Sequence, residues 1–390
     1  MKTKSILISG ASVAGPALAY WLNRYGYETT IVERSPVLRP GGYAVDFRGA
    51  AMEVLKRMEL VESIKRFETR AGKITMVDEY NRKLASMPDG FTSGELEIMR
   101  GDLARVLYEA TQYGTEYIFD ESIAGMREDA DGVEVDFYRG ETRRYDLVIG
   151  ADGLHSNVRR LVFGPEREFV HDLGLYVAVF TIPNFMDLGM DGLYYGEVGK
   201  RVGVFGARKG TAAMASFFFA AEKLTYDRRD VQEQKEILRE RFAEMGWQVP
   251  KLLRLMDSAP DFYFDSVSQV KMERWSKGRV ALLGDAAFCA SPASGMGTSL
   301  AVIGAYVLAG ELRKADGDPA RAFERYEAAM RGIVGKAQKM ANGVSWFVPN
   351  SKFKLWMSTQ VWKVLPYTPW KNMMIEMPAR VANSIELSAY

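Results

Sequence analysis

The chain of 390 residues is almost charge-balanced, with 51 Lys and Arg against 50 Asp and Glu, so it lacks the basic surplus that nucleic-acid binding uses to neutralise phosphates. A single cysteine, Cys289, excludes an internal disulfide framework and fits a reducing compartment; with only His155 and His171, a zinc site or a Ser-His-Asp apparatus has too few residues. No signal peptide or membrane-length apolar run is apparent, and the expectation is a cytoplasmic protein without stable membrane insertion.

The chain opens with a β-α-β unit over residues 5 to 34. Ile6-Leu-Ile8 is a buried strand, Gly10-Ala-Ser12-Val-Ala14-Gly15 a tight turn into a helix, and Ile31-Val32-Glu33-Arg34 the end of a second strand. This pattern places a pyrophosphate on the helix N-terminus and an acid on a ribose hydroxyl. Gly10 permits the turn, Gly15 allows close helix–strand packing, and Glu33 has the spacing for the ribose. Ser12 stands where the pattern wants glycine, although its hydroxyl can itself meet a phosphate oxygen. An apolar face predicts a helix from Ala51 to Phe67, and Ile74 to Val77 with Leu84 to Met87 a hairpin. Arg100-Gly-Asp102 opens a helix from Leu103 to Thr111, with Asp102 as its cap. Segments 122–125 and 133–137 alternate as antiparallel strands. Tyr145 to Gly150 is a buried strand delivering Ala151-Asp152-Gly153, followed by Ser156 and Arg159. Asp152 reads either as a turn cap or as a site residue.

From Tyr176 to Ala220 short strands and glycine turns predict an antiparallel sheet, followed by a charged helix near Arg229 to Met245 and a strand near Phe262 to Val270. Val280 to Leu283 is wholly apolar, so Gly284-Asp285 lies at the carboxyl edge of a sheet, where α/β proteins bind ligands. Asp285 can accept hydrogen bonds from a polyol or merely cap a helix. The small-residue loop Ser291 to Ser299 lets backbone amides approach a ligand, and a following helix points its positive end there. Helices are expected from Gly297 to Arg313 and from Pro319 to Gly343. The tail is aromatic and basic, with Trp346, Phe347, Trp356, Trp362 and Trp370 among lysines.

These segments together resemble the class A flavoprotein monooxygenases of the para-hydroxybenzoate hydroxylase type. The resemblance rests on Gly10 to Gly15 with Glu33-Arg34, on Gly150-Ala-Asp152-Gly153 with Arg159, and on Gly284-Asp285-Ala-Ala, Pro292 and Gly295-Met296-Gly297. It implies an α/β fold with a discontinuous Rossmann-like FAD domain (1–72, 98–172 and 274–330). An antiparallel-sheet substrate domain would take 73–97 and 173–273, and C-terminal helices over the pocket 331–390. By resemblance FAD is held non-covalently by Gly10, Ser12, Ala14, Gly15, Glu33, Arg34, Arg100, Asp152, Asp285, Pro292, Gly295, Met296 and Gly297. Glu33 takes the adenosine ribose, with Arg34 near the adenine. Asp285 takes the ribityl hydroxyls, and 292 to 297 lie against the isoalloxazine. Asp152 is implicated in both FAD and nicotinamide handling. Phe288, where many relatives carry histidine, would bear on the flavin environment.

The length and aromatic tail are similar to the short tetracycline-inactivating monooxygenases and aromatic polyketide hydroxylases. The activity implied is hydroxylation of a multi-ring aromatic or enolic small molecule with NADPH or NADH as a transient reductant and O2. A flavin C4a-hydroperoxide would transfer the oxygen, so no side-chain nucleophile is needed. Arg201 and Arg208 are candidates to hold an anionic substrate or are simply solvated. Trp346 and Phe347 either gate the pocket or seal the core. A reductase of lipids or isoprenoids and a membrane-surface flavoprotein using the basic, Trp-rich tail are the rival readings. The assembly expected is a monomer or weak dimer.

Overall fold

Ser5–Ser9 becomes the central strand of a parallel sheet because both its faces are covered, which is why its sequence is continuously apolar rather than alternating. A computed structural model of the chain describes residues 5–39, 41–69, 72–88, 94–316 and 318–390. Ser5–Ser9 pairs in parallel with Glu28–Glu33 on one side and Leu147–Gly150 on the other. The six-stranded sheet runs Ser276–Lys277, Val280–Leu282, Leu147–Gly150, Ser5–Ser9, Glu28–Glu33, Thr115–Phe119, antiparallel only at Ser276–Lys277. Helix Ala14–Arg24 packs against helix Gly297–Lys314, which is buried along most of its length. Three distant stretches of chain thus deliver their strand ends to one sheet edge.

The second sheet has seven strands in the order Tyr263–Val270, Val170–Pro183, Ala212–Ala220, Lys200–Ala207, Gly192–Glu197, Ile74–Val77, Lys83–Ser86. It is antiparallel except where Gly192–Glu197 meets Ile74–Val77, so the early hairpin joins strands more than a hundred residues later in the chain. One face packs on helices Val231–Phe242 and Val249–Asp257 through Phe217, Phe219, Phe242 and Leu252. The second of these helices was not anticipated. The other face carries Val177, Val179, Phe218 and Phe347 in one cluster and Met76, Met87, Tyr194 and Trp362 in another. The architecture is the expected α/β class, a parallel sheet with a separate antiparallel sheet and C-terminal helices.

Two local expectations need correction. The helix expected over 51–67 is two pieces, Ala50–Arg57 and Val61–Lys65, broken where Glu59 adopts φ +59° and Leu60 N–H bonds back to the Leu55 carbonyl. Asp102 does not cap its helix. Strand Leu96–Met99 runs straight into helix Arg100–Thr111, so Met99 occupies the cap position, while Asp102 lies in the first turn and pairs with Arg105 at 2.9 Å.

Candidate active site between two sheets

The first glycine turn is built so tightly that its positions 10 and 15 admit no side chain. Gly10 has φ +109°, and a Cβ there would lie 2.5 Å from the Ala151 carbonyl oxygen; one on Gly15 would lie 2.0 Å from the Gly10 carbonyl oxygen. Gly10 N–H donates to the Val32 carbonyl at 2.8 Å. The Glu33 carboxylate accepts from Ala11 N–H and Ser35 N–H, both at 2.9 Å, which clamps the strand-end acid onto the turn and leaves each oxygen capacity for a further donor.

Arg100 closes one side. Its backbone N–H donates to the Tyr43 carbonyl, its Nη1 lies 3.5 Å from Ser12 Oγ, and its Nε is buried without a partner among the described residues. Gly284 closes the other side: a Cβ on it would sit 3.2 Å from that of Ala14, so the first and last loops touch. Asp285 lies within reach of Gly297, whose Cβ would be 3.6 Å from Oδ1. Asp285 is exposed to solvent at the start of the short turn Asp285–Phe288, although protein crowds its carboxyl. Burial pushes its pKa above the usual carboxylate range, opposed by the Cys289 thiol and by Arg100.

Beyond it, Ser291 holds φ +83°, a conformation L side chains rarely adopt, and its Oγ accepts from Ala293 N–H at 3.2 Å. Pro292 and Gly295 face solvent, with open space beyond Gly295 at φ +63°, while Met296 is buried. Helix Gly297–Lys314 starts immediately after, its free N–H groups adding positive potential.

Asp152 is a cap. Its carboxylate accepts from the Ser156 hydroxyl at 2.5 Å and from Asn157 and Val158 N–H at 2.8 and 3.1 Å, at the start of helix Asn157–Val162. Burial raises its pKa, opposed by those bonds. Arg159 behind it is fully buried and donates to the Ala286 carbonyl at 2.8 Å and the Leu154 carbonyl at 2.5 Å, bracing the Asp152 and Asp285 turns against each other.

The antiparallel sheet faces this constellation with residues that only the fold brings together. Tyr263 meets Tyr43 at 6.2 Å between ring centroids, beside Arg100 and Asp285; burial pushes the Tyr43 phenol up to about 12. On the same sheet face, Arg201 is buried with its guanidinium 4.6 Å from the Phe347 ring and 5.6 Å from that of Tyr194. Burial lowers its pKa to about 10, so it is charged at neutral pH. Its Nη1 has no partner among the described residues, and neither does the buried Oγ of Ser216 on the adjoining strand, opposite Gly203. An unpaired buried cation is costly unless something anionic or strongly polar meets it.

The model of the FAD binding domain family matches residues 3–337. A flavin-dependent monooxygenase of Legionella longbeachae is 42% identical over 349 residues, covering 88% of this chain and 89% of that protein. An uncharacterized protein of Mycobacterium tuberculosis is 50% identical over 342 residues, covering 86% and 92%. The crystal structure of tetracycline destructase Tet(51) superposes with a TM-score of 0.87 at 37% identity, covering 100% of this chain and 99% of that one. The chain belongs to the FAD binding domain family. It is an FAD-dependent monooxygenase.

The residues present fit the cofactor of this monooxygenase. A glycine cradle that a Cβ would fill, the orphaned Arg100 Nε and the outward-facing Asp285 carboxylate converge from three distant segments on one cleft. Of the residues singled out in the sequence, Gly10 to Gly15, Glu33, Arg100, Asp152, Asp285 and the loop 292–297 are brought together there. Arg34 is exposed at the end of its strand. Phe288 does not face the cleft; its ring is buried against Trp275 and beside Gly304, because the short turn Asp285–Phe288 points it into the core. Arg208 is exposed in a turn after the strand that carries Arg201, roughly 23 Å along it, so the two arginines do not share a site. Trp346 is half exposed, whereas Phe347 packs on Tyr194 and Phe218. Tyr43, Tyr263 and Ser216 carried no motif. Only alternation along their strands would have placed the last two on the same sheet face as Arg201.

Proposed function

We propose that this monooxygenase uses NADPH or NADH and O2 to hydroxylate a multi-ring aromatic or enolic small molecule, as a cytoplasmic enzyme working with a tetracycline-like or related polyketide substrate. FAD supplies the redox and oxygen-activating chemistry when bound. In this reading the 10–15 turn and the N-terminus of helix Ala14–Arg24 hold its pyrophosphate, and Glu33 its adenosine ribose. Arg100 reaches the connecting chain, Asp285 the ribityl hydroxyls, and residues 292 to 297 line the ring. The antiparallel sheet is the substrate domain. Tyr43 and Tyr263, neutral at physiological pH, wall the space between cofactor and substrate and help exclude water.

The observation that carries the substrate class is the unpartnered guanidinium of Arg201, flanked by Tyr194 and Phe347, with Ser216 nearby. A flat ring system bearing an enolate or phenolate would place its oxygen on Arg201 and its faces against the aromatic side chains. The similarity to tetracycline destructase Tet(51) supports the same class. The test is NADPH consumption by FAD-loaded protein across phenols, anthracyclines and tetracyclines, with mass spectrometry for a gain of one oxygen. The reading fails if no compound both stimulates consumption and gains oxygen.

A further inference from the structure

We propose that the C-terminal helices dock this enzyme onto an anionic lipid surface. Helix Lys352–Val364 turns Leu355, Ser358 and Trp362 toward the antiparallel sheet. Its opposite side leaves Phe353, Trp356 and Val364 exposed. Helix Trp370–Ala382 repeats the arrangement, with Trp370, Met373 and Met377 exposed at helical spacing. Tyr367, in the turn between the helices, is 89% exposed. Large apolar side chains set at one-turn intervals on the side away from the protein need a covering that the described residues do not supply.

Charge says what covers them. Lys352, Lys354, Lys363 and Lys371 lie among these side chains, and the one acid from 346 to 377, Glu376, is paired with Arg380 at 2.8 Å. Beside the helices a groove of about 420 Å³ is lined by Lys73, Lys83, Lys363 and Lys371 together with Trp362 and Tyr367. Among the described residues no acid lines it, and none of the four lysines has an ion-pair partner. The Ser86 hydroxyl at its wall is buried without a partner among the described residues. Tryptophan, tyrosine and methionine interleaved with lysine match the boundary between phosphate headgroups and acyl chains, and the groove offers phosphates four ammonium groups. A second copy of the chain fits poorly, since a twofold contact here sets lysines against lysines. Among the described residues no helix is long and apolar enough to cross a membrane, so the helices lie on the surface.

The test uses full-length, FAD-loaded protein with phosphatidylcholine vesicles prepared with and without phosphatidylglycerol. The protein should sediment with the anionic vesicles alone, release as salt is raised, and show tryptophan emission quenched by brominated acyl chains. The pair Trp356→Ser with Trp370→Ser, and separately Lys363→Glu with Lys371→Glu, should each weaken partitioning by about tenfold or more while FAD content and thermal midpoint stay unchanged. Absence of sedimentation at low salt, or variants that sediment like the parent, overturns the proposal. So does a lipid-free dimer that the tryptophan pair dissociates, which would make a second copy the occupant.

Discussion

Asp285 is the residue on which the cofactor cleft can be tested most directly. Its carboxylate is exposed and, among the described residues, lies beside the Cys289 thiol and within reach of the Arg100 charge, so little of the fold depends on it. Asp285→Ala should weaken FAD binding by about 1–3 kcal/mol through donors left unmatched in a desolvated site. FAD titration of the apoprotein would read this, with a far-ultraviolet spectrum unchanged; equal affinity would return Asp285 to a capping role. Arg201 gives a result of opposite sign on stability. Replacing an unpaired buried cation by Met removes a desolvation cost, so Arg201→Met should keep or raise the thermal midpoint while raising substrate KM about tenfold or more. A clear drop in midpoint would mean that Arg201 holds the sheet together rather than a ligand. Asp285 was legible as a candidate because its turn follows an apolar strand. Arg201 and Arg208 looked alike in sequence, and only strand alternation against a packed neighbour separates the buried one from the exposed one.

At the scale of elements, the junction between the two sheets carries a titratable contact whose effect on stability should depend on pH. His155, just after the Asp152 turn, lies 2.9 Å from Glu166 and 3.0 Å from Asp265 on the edge strand Tyr263–Val270, and Glu166 also takes Arg228. Burial works against charge on the imidazole, but the bonds to Asp265 and Glu166 outweigh it and raise its pKa above the ordinary value. A raised folded-state pKa means a contribution that is full below about pH 6.5 and lost as pH rises through the folded value. Glu166 has the opposite sign. Burial would raise it, yet its bonds to His155 and Arg228 bring it down to about 2, so its contribution holds above about pH 4.5 and fails only in strong acid. The thermal midpoint should therefore decline above pH 6.5, and His155→Gln should flatten that decline; parallel pH profiles for the two proteins would count against the junction. Most strands and the long helices followed from apolar periodicity, but Ala44–Phe47, Leu96–Met99 and the sheet-edge strand Thr115–Phe119 were not expected. The kink at Glu59 and the uncapped start at Arg100 did not follow from it either, since both are set by what each segment packs against.

At the scale of the whole molecule, the chain end is tied back into the FAD-binding part. The Tyr390 hydroxyl donates to Glu311 at 2.8 Å, its ring lies where a Cβ on Gly310 would be, and the Ser388 carbonyl accepts from Tyr306 and Arg57 at 2.6 and 3.0 Å. Gly310→Ala should expel this tail, because the new methyl would sit 2.2 Å from the ring. Faster carboxypeptidase trimming and a loss of about 2 kcal/mol in denaturant unfolding are expected, from one hydrogen bond and part of an aromatic burial. Trimming at the parental rate would show that the tail is not held by this contact. The tail also revises the reading of the aromatic C-terminus: of Trp346, Phe347, Trp356 and Trp362, only Phe347 and Trp362 turn to the sheet.

What the sequence by itself determined is the frame of the parallel sheet and its glycine turns. Gly10, Gly15, Glu33 and Gly284-Asp285 are read locally, because a turn that excludes a Cβ and a strand buried on both faces leave their mark in adjacent residues. The tertiary structure alone decided the face of the antiparallel sheet that carries Arg201 and Tyr263. Whether Arg201 is buried beside Ser216, whether Tyr43 meets Tyr263, and which way the tryptophans point depend on pairings between strands and helices far apart in the chain. The rings and charges concerned are the same residue types whether they face a core, a ligand or solvent, so their burial is a property of the fold and not of the neighbouring sequence.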